Sequence, residues 1–566
     1  MIRAAVATGA AVLTSGSISA EAQTTDGAVS AADVAIVDGI LAHEYSAAER
    51  VLMARTLTRL RGSLRAIRAA ELSADVEPAL HFDPRLPGTK LPTGKSGAQA
   101  GRGAPMAYDG RPESLAFASV VELGRLLRAR KVTSLALTQM YLGRLRKFGP
   151  RLNCVVTLTE ELALRQAERA DRELAAGQYR GPLQGIPWGA KDLLATKGIR
   201  TTFGAKPYEN QVFDNDATVV ERLEQAGAVL VAKLSMGELA MGDVWFGGLT
   251  RNPWRPATGS SGSSAGPGSA TAAGLVGFAI GTETLGSIVS PSVVNGVTGL
   301  RPTYGRVPRT GAMALAWSMD KLGPMCRRVE DCALVLSAIF GPDGRDQTVA
   351  DVPFRWNPAS RLTGLRVGIE AQAFAGIEKI EKRAPIYKAM LDTLRSLGVT
   401  PRPVTLPKLT DAYAALASLI IDCESSASFQ KLTTSGQLGQ LAQQGQGNWP
   451  NTFRAGSTIP AADYLVALRL RARLQREMAE ALKDVDCFVT IPFAGPNLLY
   501  TNLTGHPTVV TRCGMLDGLP QMIEFTGNLY REDAILRVAH AFEQATDHHK
   551  LWPDTETIPT LSAAPA

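Results

Sequence analysis

A stretch without any charged side chain, residues 256–282, restricts the fold of this chain strongly. It is rich in Gly, Ser and Ala, and it holds no run of about 20 apolar residues such as a membrane span needs. A flexible Gly/Ser linker would return to polar residues, whereas this stretch continues into the small apolar run 270–274. It therefore predicts a segment that is packed tightly inside a large globular domain.

Short apolar strands alternate with amphipathic helices along most of the chain. Residues 160–176 have the pattern of a helix with one charged face, and residues 228–234 (AVLVAKL) are nearly all apolar. Strands of that composition are typical of a sheet covered on both faces. Similar alternation resumes over residues 365–370, 383–397, 461–482, 487–492, 508–512, 522–527 and 532–544. The pattern predicts an α/β fold in which helices cover both faces of a large mixed β-sheet.

The N-terminal region divides into three predicted parts. Residues 1–22 predict a signal peptide, because Arg3 precedes a mildly apolar run and AEA at residues 20–22 provides a cleavage site. Residues 23–80 predict a helical extension, and residues 81–113 a Pro/Gly-rich linker to the main domain, residues 114–566. The signal predicts a secreted or periplasmic protein; the alternative is a cytoplasmic protein with a disordered tail.

Charge and cysteine content exclude several classes of function. The chain has 60 basic and 53 acidic residues, and its net charge of +7 is spread along it without a Lys/Arg block. This argues against nucleic-acid binding, and we expect no stable membrane insertion. The cysteines form no C-x-x-C pair and no Cys/His cluster with zinc spacing, so we expect buried free thiols and no metal. They are Cys154, Cys326, Cys332, Cys423, Cys487 and Cys513.

Lys191 is the first residue suited to chemistry. In the segment GIPWGAKD it ends an otherwise apolar strand, residues 186–190. Burial disfavours the charged form of a lysine and lowers its pKa, so that the neutral amine can act as a general base. A strand-end lysine beside Asp192 is, however, more often one half of a surface ion pair. Taken alone, Lys191 leaves both interpretations open.

Two further segments each present a serine among small residues. Residues 258–269 (TGSSGSSAGPGS) contain Ser263, but they lack the Lys-Ser/Thr end of a P-loop and the strand that precedes a dinucleotide-binding loop. Residues 281–291 (GTETLGSIVSP) contain Ser287 after a strand-like apolar run. Backbone N–H groups that converge at such a small-residue turn can form an oxyanion hole.

Together these segments resemble the amidase signature family, whose pattern is G-I-P-x-x-x-K-D, then G-S-S-x-G, then G-T-[DE]-x-x-G-S-I. The stretches RNPW, GLRPTYG, MDKLGP and NLTGHP match as well, and the resemblance spans about residues 114–552. It implies the amidase signature fold and a Ser-Ser-Lys triad, with Lys191 as base, Ser263 as bridging serine and Ser287 as nucleophile. It also implies a cis peptide bond before Ser263.

The resemblance implies an amidase that hydrolyses the carbon–nitrogen bond of a linear carboxylic amide without a metal or organic cofactor. Ser287 would form an acyl-enzyme, while Lys191 and Ser263 would relay its proton. Backbone N–H groups would stabilise the oxyanion. These groups belong to Thr284, Leu285, Gly286 and Ser287.

The chain departs from the family pattern beside the nucleophile. The family's G-G-S-I-R is LGSIV here, with Leu285 and Val289 as the differing residues. A leucine keeps its backbone N–H in place if its φ stays negative. The missing arginine removes an expected partner of Glu283. Ala265 and Pro267 also differ from the usual glycine and small residue, and these changes affect the expected substrate more than the expected reaction.

The sequence does not determine the substrate, the oligomeric state or the biological function. Met236, Ala240 and Trp317 are predicted to line the substrate pocket and would suit an apolar acyl or aryl group. Small aliphatic amides, anilides, peptide amides and carbamates are all open as the small-molecule substrate, and so is the oligomeric state, a homodimer included. One alternative function is an ammonia donor that resembles the A subunits of glutamine amidotransferases. Another is a catalytically inactive binding protein on the same fold.

Two other motifs suggest different serine enzymes. Residues 262–266 (GSSAG) satisfy G-x-S-x-G, with Ser264 as nucleophile and His506 or His540 as base, but that motif needs a strand directly before it. Residues 251–259 contain two prolines and predict no strand. Residues 318–321 (SMDK) fit S-x-x-K, but the companion K-T-G is absent. Both motifs are weaker than the Ser-Ser-Lys pattern.

Overall fold

We describe the protein from a computed structural model that defines residues 28–41, 45–54, 57–58, 80–377, 379–445 and 447–560. The chain divides into two compact units, residues 1–76 and 77–566. In the first unit, helix α1 spans Ala31–Leu41 and α2 covers residues 47–54. The predicted signal peptide lies outside the described residues. Within those residues, none of the helices combines the length and the apolar character of a membrane span.

The second unit is built around one large sheet, which has 11 strands in the described part of the chain. In chain order they are β1 Val155–Leu158, β2 Pro187–Lys191, β3 Val229–Leu234, β4 Phe278–Glu283, β5 Thr298–Arg301, β6 Lys321–Cys326, β7 Val367–Glu370, β8 Arg402–Val404, β9 Cys487–Thr490, β10 Thr508–Leu516 and β11 Leu519–Gly527. Across the sheet they lie in the order β8-β7-β9-β11-β10-β5-β6-β4-β2-β3-β1.

The sheet is mixed. β7 runs parallel to both of its neighbours, β8 and β9, and β2 runs parallel to both β4 and β3. The other neighbouring pairs are antiparallel. Every residue of β2, β3 and β4 is buried, as expected for strands with both faces covered. The predicted fold class, a large mixed α/β sheet covered by helices, is confirmed.

Helices connect and cover these strands. They are α3 Val120–Arg128, α4 Ser134–Leu152, α5 Glu160–Ala175, α6 Thr218–Gln225, α7 Ala265–Ala272, α8 Val289–Asn295, α9 Val329–Ile339, α10 Ala371–Ile377, α11 Ala384–Ser396, α12 Asp411–Ser428, α13 Gln430–Thr434, α14 Trp449–Gly456, α15 Ala461–Leu482, α16 Asn497–Thr504 and α17 Glu532–Gln544. Local sequence sets several ends: the Thr133 side chain accepts a hydrogen bond from the N–H of Ala136 at the start of α4.

The uncharged stretch is buried from Ser263 onward, as its composition predicts, whereas Ala257 and Thr258 near its start are exposed. All residues of α7 are buried, and the helix packs against β4. A Cβ atom on Gly266 would lie only 2.5 Å from the Ser235 nitrogen, so only glycine permits this approach. Close packing of small residues thus fixes the backbone around Ser263 and Ser264.

Residues 80–113 belong to the second unit and run mostly as extended chain. Gly97–Ala98 pairs in parallel with Arg355–Trp356, which makes a separate two-stranded sheet. The Gly101 N–H donates to Glu330, and Arg125 donates to the Gly101 carbonyl. These hydrogen bonds attach the segment to the unit that contains the large sheet.

Candidate active site

Lys191 is the last residue of β2, and its side chain is fully buried. Its Nζ lies 2.8 Å from Ser263 Oγ, 3.1 Å from Ser264 Oγ and 2.8 Å from Thr282 Oγ1. Burial lowers the pKa of Lys191 to about 7, and the nearby charge of Asp320 opposes that shift only in part. A large fraction of this lysine is therefore uncharged near neutral pH.

Asp192, the next residue, does not pair with Lys191. Its carboxylate lies 3.2 Å from the Nζ of Lys233, and both groups are fully buried. It also accepts hydrogen bonds from the N–H and the hydroxyl of Thr202. The surface ion pair that the sequence left open for Lys191 is wrong, because the adjacent carboxylate belongs to another lysine.

Ser263 follows a cis peptide bond from Gly262, as the family resemblance predicts. Its side chain is buried, and its carbonyl accepts a hydrogen bond of 3.1 Å from the Gly237 N–H. The N–H of Ser264 donates to the carbonyl of Ser287 at 3.2 Å. This bond places the Ser287 backbone directly against the segment that holds Ser263.

Ser287 lies in the turn between β4 and α8, and its residue surface is 8% exposed. In the described part of the chain, the N–H groups of Leu285, Gly286 and Ser287 donate to no acceptor. Gly286 has φ +90°, whereas the φ of Leu285 is not positive, so the leucine keeps its N–H in the turn. Unpaired N–H groups beside a serine are what an oxyanion hole needs.

The Glu283 carboxylate stabilises the turn that contains Ser287. Its carboxylate accepts hydrogen bonds of 2.9 Å from the N–H groups of both Ile288 and Val289. It also accepts from Arg301 at 2.7 Å and from Asn502 at 2.7 Å. Arg301, from β5, is therefore the partner that the sequence analysis expected to be missing when Val289 replaced the family's arginine.

The charge of Glu283 is maintained against its burial. Burial alone raises the pKa of this carboxyl, but the charges of Arg301 and Lys321 outweigh it and hold the pKa at about 2. The carboxylate is therefore ionised at neutral pH. Its charge holds the N–H groups at the start of α8, close after Ser287.

Asp320 fixes the other side of the turn. It accepts a hydrogen bond of 2.5 Å from the Thr284 hydroxyl, and bonds of 2.7 and 3.0 Å from the N–H groups of Leu315 and Ala316. One carboxylate therefore joins the loop before β6 to the predicted oxyanion-hole residue Thr284.

Sequence reasoning did not assign roles to Arg301, Asp320, Asn502 and Thr282. The first three lie in motifs that were matched, GLRPTYG, MDKLGP and NLTGHP. A charged or amide side chain inside each motif was the available signal. The sequence did not show which residues lie next to each of these groups in the folded protein.

The three predicted substrate contacts lie in different surroundings. Met236 is fully buried in the main hydrophobic core. Ala240 is half-buried with φ +70°, in the loop whose Gly237 contacts the Ser263 carbonyl. Trp317 is half-buried and lines a small cavity of about 20 Å³ with Tyr304. Of these three residues, Ala240 is the one whose loop is hydrogen-bonded to Ser263, through the N–H of Gly237.

Neither rival motif forms its expected site. The Ser264 hydroxyl accepts from the Thr282 N–H and donates to the Thr282 carbonyl, both at 3.1 Å, so it links α7 to β4. The expectation of no strand before this motif is wrong, since Arg255–Gly259 is a strand of a small hairpin with Arg251–Asn252. An isolated hairpin tolerates Pro256, because an edge strand leaves one row of N–H positions unpaired.

The residues proposed as bases for the G-x-S-x-G and S-x-x-K motifs also make other contacts. The ring of His506 contacts the Thr504 hydroxyl at 2.7 Å, and His540 lies on α17 with its ring against Trp356. The Ser318 hydroxyl donates to Glu424 at 2.5 Å, while Lys321 donates to the Met319 carbonyl.

Comparison with known proteins gives the family. The sequence model of the Amidase family matches residues 136–517. The A subunit of glutamyl-tRNA(Gln) amidotransferase from Methylococcus capsulatus is 36% identical over 479 residues, which cover 77% of this chain and 98% of the relative. The native peptide amidase of Stenotrophomonas maltophilia superposes with a TM-score of 0.71 at 31% identity, over 79% of this chain and all of that one.

A bacterial aryl acylamidase of the amidase signature family has the same fold, with a TM-score of 0.67 at 21% identity over 80% of this chain and 99% of that one. This chain therefore belongs to the amidase signature family. It is an amidase-family enzyme, of a class that cleaves carbon–nitrogen bonds.

Proposed function

We propose that this protein hydrolyses a small-molecule carboxylic amide through an acyl-enzyme on Ser287. The observation that carries the proposal is the fully buried Lys191, whose Nζ lies 2.8 Å from Ser263 Oγ and whose pKa is lowered to about 7. A buried amine that is uncharged at neutral pH and bonded to a serine hydroxyl suits general-base catalysis.

In acylation, neutral Lys191 takes the proton of the Ser263 hydroxyl while Ser263 takes that of Ser287. The Ser287 oxygen then attacks the amide carbon and forms a tetrahedral intermediate. The carbonyl oxygen gains a negative charge, which the N–H groups of Thr284, Leu285, Gly286 and Ser287 stabilise in this proposal. Losing one such donor typically costs about 2.7–4 kcal/mol of transition-state stabilisation.

Collapse of the intermediate breaks the carbon–nitrogen bond. Ser263 gives its proton to the leaving nitrogen and regains one from the Lys191 ammonium, so the relay returns to its first state. Water then attacks the acyl carbon, and one of its protons passes through Ser263 to Lys191. As this second intermediate collapses, the bond from the acyl carbon to Ser287 Oγ breaks, Ser287 regains a proton from Ser263, and the carboxylic acid leaves. The relay returns every proton to its first position, and the proposal needs no cofactor.

The proposed substrate carries an apolar group next to the scissile bond. Leu285 replaces a family glycine directly before Gly286, and its residue surface is 36% exposed. Leu498 of α16 lies close by, since its Cδ2 would be 3.3 Å from a Cβ on Gly286. Ala240, Met236 and Trp317 are proposed to complete the pocket wall.

A second candidate is ammonia release from glutamine, as in an amidotransferase. The relatives named as A subunits of glutamyl-tRNA(Gln) amidotransferase favour it, at 36% identity over 98% of one such protein. Against it stands the proposed export on the strength of residues 1–22, since an exported protein would be separated from the tRNA for which those relatives are named.

The test is a panel of amides and esters that includes hexanamide, acetamide, an acyl anilide and L-glutamine, with wild type and Ser287→Ala. We expect apolar amides to be cleaved by wild type only. Faster ammonia release from glutamine than from any apolar amide would favour the second candidate. Intact-protein mass spectrometry after fluorophosphonate treatment separates an inactive protein, which would gain no adduct on Ser287, from an active enzyme.

We also propose that the protein is exported, on the strength of the signal-like residues 1–22. Mass spectrometry of protein from the periplasm would then find an N-terminus at Gln23. A chain recovered from the cytoplasm with its N-terminal residues intact would contradict export.

A further inference from the structure

Part of this chain lies ahead of the family match and contacts the catalytic domain. The match begins at residue 136, whereas residues 80–84 belong to the same compact unit as the sheet. We call residues 80–84 the anterior segment. Its contacts connect it to residues 315–320, a turn that is hydrogen-bonded to the loop that carries Ser287.

Phe82 is the central contact of the anterior segment. Its ring packs edge-on against Tyr304, with 5.1 Å between the ring centroids. The guanidinium carbon of Arg471 lies 3.4 Å from the Phe82 centroid, and Arg471 is otherwise fully buried. Gln475 donates to the Asp83 carbonyl at 2.9 Å. The ring therefore covers a buried cation of α15, an arrangement that cation–π attraction favours.

The two partners of Phe82 both hold the same stretch of backbone. Arg471 donates to the hydroxyl and to the carbonyl of Ser318, each at 2.8 Å. The Tyr304 hydroxyl donates to the Trp317 carbonyl at 2.8 Å. Removal of Phe82 would open this buried arrangement and free Arg471 and Tyr304 to move.

The stretch that they hold continues into the candidate active site. Glu424 accepts from the Ser318 N–H at 2.9 Å, and Asp320 bonds the Thr284 hydroxyl. Trp317, a predicted substrate contact, lies in the same turn. Residues 315–320 thus connect Phe82 and its partners to the loop that carries Ser287.

We infer that the anterior segment, through Phe82, positions the 315–320 turn and so sets substrate affinity in this enzyme. The inference rests on the proposed amide hydrolysis for its kinetic consequence. Phe82 touches no reacting group, so it is a positioning residue. Its effect should fall on KM through Trp317 rather than on kcat, because Asp320 retains its own bonds to Thr284.

The experiment compares Phe82→Ala, Phe82→Tyr and Phe82→Leu in the full chain. Hydrogen exchange by mass spectrometry measures the amides of residues 315–320, and steady-state kinetics measure KM and kcat on the best amide. We expect Phe82→Ala to speed exchange in this turn about tenfold or more, and to raise KM about tenfold with kcat within twofold. Phe82→Tyr keeps the ring and should resemble wild type.

Met106→Ala is the matched control, since Met106 is an exposed apolar side chain in the same N-terminal stretch. Unchanged exchange in residues 315–320, or an equal increase across the whole catalytic domain, would overturn the inference. If Phe82→Ala does not fold, hydrogen exchange and kinetics are measured on Phe82→Leu instead, which keeps the bulk of the side chain but loses the aromatic face. Exchange is measured without turnover, so a wild type that lacks Ser287-dependent hydrolysis would refute the proposed function and leave the positioning result standing.

Discussion

At the scale of residues, the proposed chemistry depends on a single amine. Lys191 is fully buried among three hydroxyl groups, and its nearest carboxylate neighbour in sequence, Asp192, is taken up by Lys233. Burial without a direct ion pair explains why its pKa is lowered rather than raised. The uncharged amine is the form that can accept a proton.

The pH dependence of activity follows from that pKa. Since the active form of Lys191 is the deprotonated one, kcat/KM should fall as the pH decreases through about 7. The Lys191→Ala variant should keep its fold and lose about 10²–10⁴-fold in rate above pH 7, where Lys191 of wild type is deprotonated. Amide turnover between pH 5 and 9 checks both. Activity above a tenth of wild type in the alanine variant at pH 8 to 9 would contradict the base assignment.

Ser263→Ala separates proton donation from nucleophilic attack. An amide nitrogen leaves only when protonated, whereas an ester oxygen leaves with less help. We expect the variant to lose at least about tenfold more activity on amides than on esters of the same acyl group. Ser264→Ala is the control for local packing, because its hydroxyl bonds to the same Lys191. Equal losses on both substrate types would argue against proton donation by Ser263.

Leu285 provides a test of substrate selectivity. Its residue surface is 36% exposed directly before Gly286, so a substrate's apolar group can bury against it. Burial is worth about 0.8 kcal/mol per methylene group, so Leu285→Ala should reduce the preference for hexanamide over acetamide about tenfold. Leu409→Ala, an exposed leucine in the loop before α12, should leave the preference unchanged. An unaltered ratio in Leu285→Ala would place the apolar group elsewhere.

At the scale of elements, the turn that contains Ser287 depends on an ion pair between two strands that are not adjacent in the sheet. β4 carries Glu283 and β5 carries Arg301, but β6 lies between them in the sheet. The side chains meet across β6 at 2.7 Å, where both are fully buried. The turn thus depends on the order of strands in the sheet.

Breaking this ion pair should destabilise the protein. Arg301→Met would leave Glu283 buried with one cation fewer, which typically costs about 3–5 kcal/mol. Because the folded pKa of Glu283 lies below its unfolded value, the pair adds stability above pH 4.5 that is lost as the pH falls towards 2. Urea unfolding at pH 7 and pH 3 measures both effects. Glu283→Gln with Arg301→Met should recover part of the loss, and a full additive loss would contradict the coupling.

The sequence predicted the elements with strong periodicity and missed those that depend on context. The predicted stretches 461–482 and 532–544 coincide with α15 and α17, whose apolar residues recur at helical spacing. By contrast, α16 Asn497–Thr504 is short and mixes polar with apolar residues, and its place is fixed by contacts such as that of Asn502 with Glu283. The helix propensity of a segment carries no information on such tertiary contacts.

At the scale of the whole molecule, the three proposed triad positions follow from the resemblance to the family's motifs, because each motif is a run of neighbouring residues. The supporting groups were not predictable in the same way. Arg301 meets Glu283 only because β5, β6 and β4 lie side by side, and Phe82 meets Arg471 only because the anterior segment lies against α15. Contacts between distant parts of the chain require the sheet order.

The cysteines give a test of the whole fold. All six are free thiols, of which Cys423 alone is not fully buried, and burial raises its pKa to about 11. Burial also raises the pKa of Cys154 and Cys487 to about 12, so their thiols are neutral as well as covered. Native protein should therefore react with at most one equivalent of a thiol reagent, slowly and at Cys423, whereas unfolded protein should react with six. Dithiothreitol should leave Tm unchanged, even for protein recovered from an oxidising compartment, because no disulfide contributes to stability. Rapid labelling of several thiols in folded protein, or a Tm that falls on reduction, would contradict this packing.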